Sequence, residues 1–108
     1  MAINQLVKQS RESFSIYGGI TNVAADGETI SAGTSSVLCT DKNGDSATAL
    51  LSGSPSVSSS GLRLYQKIAP SQGTEALSPY TISFLMGTTD GNLYEKDAYL
   101  YIKDRPQT

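Results

Sequence analysis

The chain contains no histidine among its 108 residues. This absence excludes Ser-His-Asp and Cys-His catalysis, His-ligated zinc and the usual general base near neutral pH. Neither the P-loop pattern nor the Gly-x-Gly-x-x-Gly pattern of nucleotide-binding proteins occurs. We therefore expect a non-enzymatic protein without catalytic residues, a metal or a cofactor.

Cysteine occurs once, as Cys39, so the chain forms no internal disulfide and no thiolate zinc site. Cys39 follows the apolar pair Val37-Leu38, a setting that favours a small buried hydrophobic residue over a reactive thiol. Tryptophan is absent as well, which excludes the Cys-Trp-Cys core of antibody domains.

Excess charge and long apolar runs are also missing. The net charge is −2 and the basic residues form no cluster in the sequence, so we expect neither nucleic acid nor a membrane as a partner. No apolar run approaches the ~20 residues of a membrane helix. The first residues lack the basic start and apolar block of a secretory signal, so we expect the protein to be made in a cytoplasm.

Alternating apolar residues are what the sequence does contain. In residues 80–86 and 93–102 they recur at every second position, with Asp90-Gly91-Asn92 between the two runs. Period-two alternation is typical of a strand with one buried face, and the intervening turn predicts a β-hairpin. Ala98, Leu100 and Ile102 would then face the core.

The remaining chain is also rich in short strands and turns. Further strands are predicted within residues 14–18, 34–40, 56–58 and 61–68, and residues 47–51 fit either a strand or one helical turn. Gly53-Ser54-Pro55 predicts a break, and Asp26-Gly27-Glu28 predicts a turn. About seven strands of this spacing favour an all-β, antiparallel, immunoglobulin-like β-sandwich, with a small barrel as the alternative.

The sequence divides into three parts. Residues 1–13 form an extended N-terminal arm, residues 14–104 the β-sandwich domain and residues 105–108 a C-terminal tail. Ile3, Leu6 and Val7 have helical spacing over less than two turns, too short for a stable isolated helix. The arm is either loose or docked on a neighbour, and in the second case these three residues would bind the partner.

Two acidic patterns resemble functional sites. Asp41, Asn43 and Asp45 match the start of an EF-hand, but Gly44 comes too early and position twelve of the loop is Ser52, so a Gly-containing turn is favoured. Glu95 and Asp97 lie two residues apart on one strand, ~7 Å from each other. That spacing resembles a glycosidase pair, but two solvated acids on a sheet face are favoured.

Tyrosine is the aromatic residue most available for binding, with six copies. Tyr99 and Tyr101 share the strand face opposite the predicted core residues, so they either contact a partner or simply cover the sheet. Tyr65 shares a face with Arg63 and Lys67, which forms a second candidate patch. Pro70 and Pro79 mark a long irregular loop that we also expect to contact a partner.

Several segments in this order resemble a known family. They are Ala25-Asp26-Gly27-Glu28-Thr29-Ile30, Asp41-Lys42-Asn43-Gly44-Asp45, Ser52-Gly53-Ser54-Pro55-Ser56, Gly61-Leu62-Arg63-Leu64, Tyr80-Thr81-Ile82-Ser83-Phe84, Thr88-Thr89-Asp90-Gly91 and Leu100-Tyr101-Ile102-Lys103-Asp104. The chain is similar in this respect to small immunoglobulin-like structural proteins of tailed bacteriophages and prophages. It departs from them in residues 69–79, a longer loop with two prolines.

The resemblance implies a non-enzymatic adaptor in the phage virion, made in the host bacterial cytoplasm. Such an adaptor joins tail, neck, portal or fibre proteins and is present in several symmetric copies. The alternative from the tyrosines and their polar neighbours is a carbohydrate- or host-surface-binding β-sandwich module. A repeat of a bacterial surface adhesin is a third hypothesis.

Overall fold

A computed structural model describes residues 4–8, 13–69 and 75–102, with side chains for 13–69 and 76–102. The strands are β1 (Asn4–Lys8), β2 (Phe14–Gly19), β3 (Ser36–Thr40), β4 (Leu51–Val57), β5 (Arg63–Ile68), β6 (Tyr80–Gly87) and β7 (Leu93–Ile102). Single 3₁₀ turns occupy Ala32–Thr34, Thr48–Leu50 and Glu75–Leu77. Within these residues, no helix is both long and apolar enough to cross a membrane.

The strands form two sheets, which confirms the predicted β-sandwich. The four-stranded sheet has the order β1-β7-β6-β3, and the three-stranded sheet has the order β2-β5-β4. All pairs are antiparallel except β1 with β7. The core lies between the sheets, where alternate residues of each strand are buried.

The predicted hairpin of residues 80–102 is confirmed as β6 and β7, paired from Tyr80↔Leu100 to Gly87↔Leu93. Ala98, Leu100 and Ile102 are buried, as the alternation indicates. Full burial of a leucine or isoleucine side chain stabilises a fold by roughly 1.5–3 kcal/mol. The hairpin therefore supplies one inner wall of the core.

The first strand departs from the expected extended arm. Asn4–Lys8 pairs in parallel with β7 of the same chain, so its backbone is part of the four-stranded sheet. The register places Leu6 opposite Leu100 and Val7 opposite Tyr101. Strand pairing with β7, which is distant in sequence, takes precedence over the short helical spacing of this segment.

The segment around Gly53 and Pro55 also differs from the prediction of a break. One strand, β4, runs through it, with a register irregularity against β5 between Ser52 and Ser56. A bulge accommodates proline and a positive-φ glycine in an edge strand, and Gly53 has φ +72°. The buried Gln66 amide donates to the carbonyl oxygens of Ser52 at 3.2 Å and Gly53 at 3.3 Å.

The structure also decides the predictions for residues 47–51 and for the Asp26-Gly27-Glu28 turn. Residues 47–51 contain a 3₁₀ turn, and β4 begins at Leu51, so the helical alternative holds for Thr48–Leu50. The Asp26-Gly27-Glu28 turn is confirmed, with φ +82° at Gly27 and a hydrogen bond from the Glu28 N–H to the Ala25 carbonyl.

Candidate binding surface

Two tyrosines stand together on the outer face of the three-stranded sheet. Tyr17 on β2 and Tyr65 on β5 are direct cross-strand partners. They lie on the outer face because their strand neighbours Ile16 and Leu64 are buried in the core. Their ring centroids are 5.6 Å apart in an edge-to-face arrangement with an interplanar angle of 61°. Aromatic pairs of this geometry attract each other beyond simple burial, yet Tyr17 keeps half of its surface exposed.

Arg63 lies over the exposed tyrosine. Its guanidinium carbon is 4.4 Å from the centroid of the Tyr17 ring, a cation–π contact. The cross-strand partner of Arg63 is Gly19, which has no side chain to compete for the space above β2. The pKa of Arg63 is raised, first by a hydrogen bond with the Tyr65 side chain and then by the neighbouring Tyr17 phenol.

Small polar residues surround this group. Lys67 follows Arg63 and Tyr65 on the same side of β5. Ser15 and Ser52 pair with Lys67, and Ser56 pairs with Tyr65. No acidic residue occupies the outward positions of these described strands, and neither Arg63 nor Lys67 has an ion pair with a described residue. We call Tyr17, Arg63, Tyr65 and Lys67 the basic aromatic face.

The opposite surface of the sandwich has the opposite charge. On the outer side of the four-stranded sheet, Glu95 and Asp97 are exposed, and Tyr99 and Tyr101 are half-buried. Leu38 on β3 lies in the same cross-strand row as Asp97, through Ser83 of β6, and is 51% exposed. We call Leu38, Glu95, Asp97, Tyr99 and Tyr101 the acidic face.

The structure brings some of the predicted partner-binding residues together at one end of this sheet. Val7 pairs with Tyr101, and Leu6 with Leu100. Pro79 is half-buried and directly precedes Tyr80, the β6 partner of Leu100. Tyr99 and Tyr101 lie on the side opposite the core residues, as predicted. Their binding of a partner stays a prediction, and Ile3 and Pro70 lie outside the described residues.

Of the two acidic patterns, residues 41–45 form a turn and Glu95 and Asp97 form an exposed pair on a sheet, as the sequence favours. In the 41–45 turn, the Asp41 carboxylate accepts the backbone N–H groups of Asn43 at 2.8 Å and Asp45 at 3.1 Å, and Gly44 has φ +86°. Such an Asx turn stabilises the loop by itself. Over the part of the chain that the structure describes, no three His, Cys, Asp or Glu residues are grouped to hold a metal ion. Glu95 and Asp97 lie exposed on the outer face of the sheet.

Cys39 is buried in the core with 2% of its surface exposed, which confirms the predicted small hydrophobic role. Burial, and secondarily the nearby Asp41, raise the pKa of its thiol from 9.0 to about 11. A thiolate is the reactive species, so this side chain is a poor nucleophile and a poor metal ligand in the folded protein.

We expect the folded protein to react with a thiol-specific disulfide reagent at least ~100-fold more slowly than free cysteine at about pH 8, because the thiolate is scarce and shielded. Unfolding in denaturant should remove the difference. Absorbance of the released thiol measures both rates, with free cysteine in the same denaturant as the control. Equal rates for the folded protein and free cysteine would show that Cys39 is accessible.

Glu28 forms a buried site that no sequence motif indicates. The residue is 1% exposed. Its carboxylate accepts four hydrogen bonds, from the Thr88 hydroxyl at 2.5 Å, the Asn92 amide at 2.9 Å, the Ala25 N–H at 2.9 Å and the Tyr94 hydroxyl at 3.1 Å. These donors lower its pKa from 4.5 to about 2, with Thr88 the largest contributor. The carboxylate joins the loop after β2 to the β6–β7 turn.

The Glu28 cluster is a structural site rather than a reactive one. Each carboxylate oxygen has two donors, and no buried polar side-chain atom in the described residues lacks a partner. Burial, and then the bond to Glu28, raise the pKa of Tyr94. A carboxylate with this low pKa is a weak proton acceptor near neutral pH. The one sequence signal for it is the turn pattern Asp26-Gly27-Glu28, which does not indicate burial.

Comparison with known proteins gives one informative likeness. Neither a protein-family model nor a curated protein sequence matches the chain. Among solved structures, the fold is similar to CopC from Methylosinus trichosporium OB3b, with a TM-score of 0.59 and 12% sequence identity. The superposition covers 100% of this chain and 90% of that chain. At this identity the likeness establishes the β-sandwich fold alone.

The expected role as a phage virion adaptor is wrong, because the fold is similar to that of CopC, which is not a phage protein. The expected tail or neck location is wrong for the same reason. The carbohydrate- or host-surface-binding alternative gains no support from this likeness. The phage resemblance depends on a set of segments that follow one another along the chain. Most of these segments are turns and alternating strands, which many β-sandwiches share.

Proposed function

We propose that this protein is a non-enzymatic binding module whose basic aromatic face recognises carboxylates on a partner protein. The arrangement of Tyr17, Arg63 and Tyr65 supports this proposal most strongly. An exposed aromatic ring and a guanidinium are held against each other before any partner arrives. Aromatic and arginine side chains are enriched among the residues that dominate protein interfaces.

Preorganisation is the first reason for choosing this face. The Arg63 guanidinium lies over the ring of Tyr17, 4.4 Å from its centroid, and the neighbouring Tyr65 side chain is the first cause of the raised Arg63 pKa. Ordering a long side chain costs conformational entropy on binding, and part of that cost has already been met in the free protein. The position of the group on a sheet, rather than on a loop, keeps it rigid.

Charge is the second reason. The chain as a whole carries a net charge of −2, whereas this face presents two cations and no anion. A locally positive patch on a protein of net negative charge favours the approach of carboxylates to that patch. The guanidinium also offers paired N–H donors for a planar carboxylate.

The acidic and thiol side chains that could act in catalysis lie in environments unsuited to it, which supports a non-enzymatic role. Glu28 is ionised and fully hydrogen-bonded, Cys39 is buried with a raised thiol pKa, and the Glu95 and Asp97 pair lies exposed on a sheet surface. None of these arrangements supplies an activated nucleophile or a general base near neutral pH.

A short oligoglutamate peptide tests the proposed site in low-salt buffer. We expect the amide resonances of β2, β4 and β5 to shift on titration, because these strands carry the face. The double variant Arg63→Ala with Lys67→Ala should weaken binding about tenfold, and added salt should weaken it further. Two-dimensional NMR of isotope-labelled protein provides both the map and the affinity.

The matched control is the double variant Lys42→Ala with Lys96→Ala, which removes the same charge from exposed positions elsewhere. It should bind the peptide like the unmodified protein. Equal weakening by both double variants would mean that only net charge matters, and the assignment of this face would be wrong. Shifts confined to other strands would have the same meaning.

A further inference from the structure

The spacing of charges on the acidic face is set by its strand. Glu95 and Asp97 are alternate residues of β7 and therefore lie on the same side of the sheet, ~7 Å apart along the strand. Their cross-strand partners on β6 are Leu85 and Ser83, so no cation opposes them there. Neither acid has an ion pair with another described residue. Two adjacent carboxylates are thus left available on this surface.

The cations of the basic aromatic face have a matching spacing. Arg63 and Lys67 are four residues apart on β5, or ~13 Å along the strand. The guanidinium of Arg63, however, lies over Tyr17, whose cross-strand partner is Tyr65. The guanidinium is thus directed toward the Tyr17–Tyr65 row, which is two residues, or ~7 Å along the strand, from the Lys67 row. Both faces therefore present a pair of like charges at about the same separation.

Each face also carries one well-exposed apolar group beside its charges. Tyr17 is 50% exposed and Leu38 is 51% exposed. Tyr17 lies beside the guanidinium, and Leu38 lies in the Asp97 row, two strands away from it. Contact between an aromatic ring and a leucine removes apolar surface from water and adds to a charge-paired interface.

We propose that the partner of the basic aromatic face is the acidic face of a second copy of this chain. The inference rests on the proposed function and names the partner of that site. The two faces are on opposite sides of one sandwich, so the contact is heterologous: each copy uses one face for the copy before it and the other for the copy after it. Copies then stack with outer sheet against outer sheet.

Two sheet edges, those of β3 and β4, are poorly suited to pair with a strand of another copy. This favours contact between sheet faces over strand addition. At the β3 edge, the Ala47 N–H donates to the Cys39 carbonyl at 2.9 Å, and Ser46 bridges to Thr40, so the edge is partly occupied by its own chain. The β4 edge contains Pro55 and a bulge. Prolines and bulges are the means by which edge strands avoid pairing with other chains.

Charge reversal provides the test. The variant Arg63→Glu with Lys67→Glu has two acidic faces, and the variant Glu95→Lys with Asp97→Lys has two basic faces. Each should self-associate at least about tenfold more weakly than the unmodified protein, because like charges meet at every contact. An equimolar mixture of the two variants should associate again, since every mixed contact pairs opposite charges.

Sedimentation velocity measures these states, and circular dichroism verifies that both variants are folded. For the unmodified protein we expect a mass that rises with concentration beyond a dimer and falls at high salt. An unmodified protein that stays monomeric or stops at a dimer would overturn the inference, and so would variants that do not re-associate on mixing. If the oligoglutamate titration succeeds and the mixing experiment fails, the binding face stands and only the choice of partner is wrong. Failure of the titration contradicts the proposed function itself.

Discussion

Replacing Glu28 with alanine is expected to lower the midpoint of thermal unfolding by roughly 10–20 °C, a large effect for a domain of this size. The change leaves the Thr88 hydroxyl, the Asn92 amide and the Ala25 N–H without their acceptor. Donors that lose a buried acceptor destabilise the fold more than the bond itself stabilised it. Circular dichroism during heating measures the midpoint.

The exposed Glu95 is the matched control for this prediction, and Glu95→Ala should change the midpoint by no more than ~4 °C. The two acids lie in the same all-β domain and differ chiefly in burial and hydrogen bonding. If Glu28→Ala unfolds at the same temperature as Glu95→Ala, the four hydrogen bonds of Glu28 do not stabilise the fold.

The same site gives the protein an acid-sensitive contribution to stability. The pKa of Glu28 in the folded state is about 2, below its ordinary value of 4.5. A group whose pKa is lowered by folding stabilises the fold fully above its unfolded pKa. This contribution is therefore lost as the pH falls from about 4.5 to about 2. The unfolding midpoint should fall more steeply over this window in the unmodified protein than in Glu28→Gln, and parallel curves would contradict the assignment.

Replacing Gly87 with alanine is expected to destabilise the fold by roughly 2–4 kcal/mol. The added methyl group would lie 2.6 Å from the Thr34 carbonyl oxygen, closer than such atoms approach, and would also meet the Thr34 side chain. The Gly87 N–H donates to the Ser35 hydroxyl at 3.0 Å, and its carbonyl accepts the Ser31 N–H at 2.7 Å. The segment that must move is thus bonded to Gly87 itself. Denaturant unfolding gives the free energy.

Gly33 provides the matched control, since it lies in the same 31–35 segment and a methyl group there would meet no atom within 4 Å. Gly33→Ala should stay within ~0.5 kcal/mol of the unmodified protein. A similar loss in both variants would point to a general intolerance of alanine in this segment rather than to the contact with Thr34.

The fold class was predictable because its main signal is local. Alternation along β6 and β7 identifies which residues face the core without knowledge of the other sheet, and the structure buries that set, including Phe84 and Leu100. Where the structure differs from the prediction, a distant strand decides the outcome. Residues 4–8 form a strand that pairs with β7, and the predicted break at Gly53 is a bulge in a strand that pairs with β5 on both sides of it.

Half of the candidate binding surface was also predictable. Arg63, Tyr65 and Lys67 share a face because they are alternate residues of one strand. Tyr17 is 48 positions from Tyr65, as their numbers in the chain show, and only the register of β2 against β5 brings the rings together. The sequence likewise gives the spacing of Glu95 and Asp97 but not the 4.4 Å contact that moves the Arg63 charge toward Lys67.

By itself, the sequence determined that this is an all-β domain with a buried cysteine, glycine turns and no histidine chemistry, because composition and the period of alternation are properties of neighbouring residues. Only the tertiary structure decided what the polar residues do. Glu28 and Thr88 are 60 positions apart, and the opposite charges of the two outer faces arise from how seven strands are shared between two sheets. Such contacts depend on strand order and register, which alternation within a strand leaves undefined.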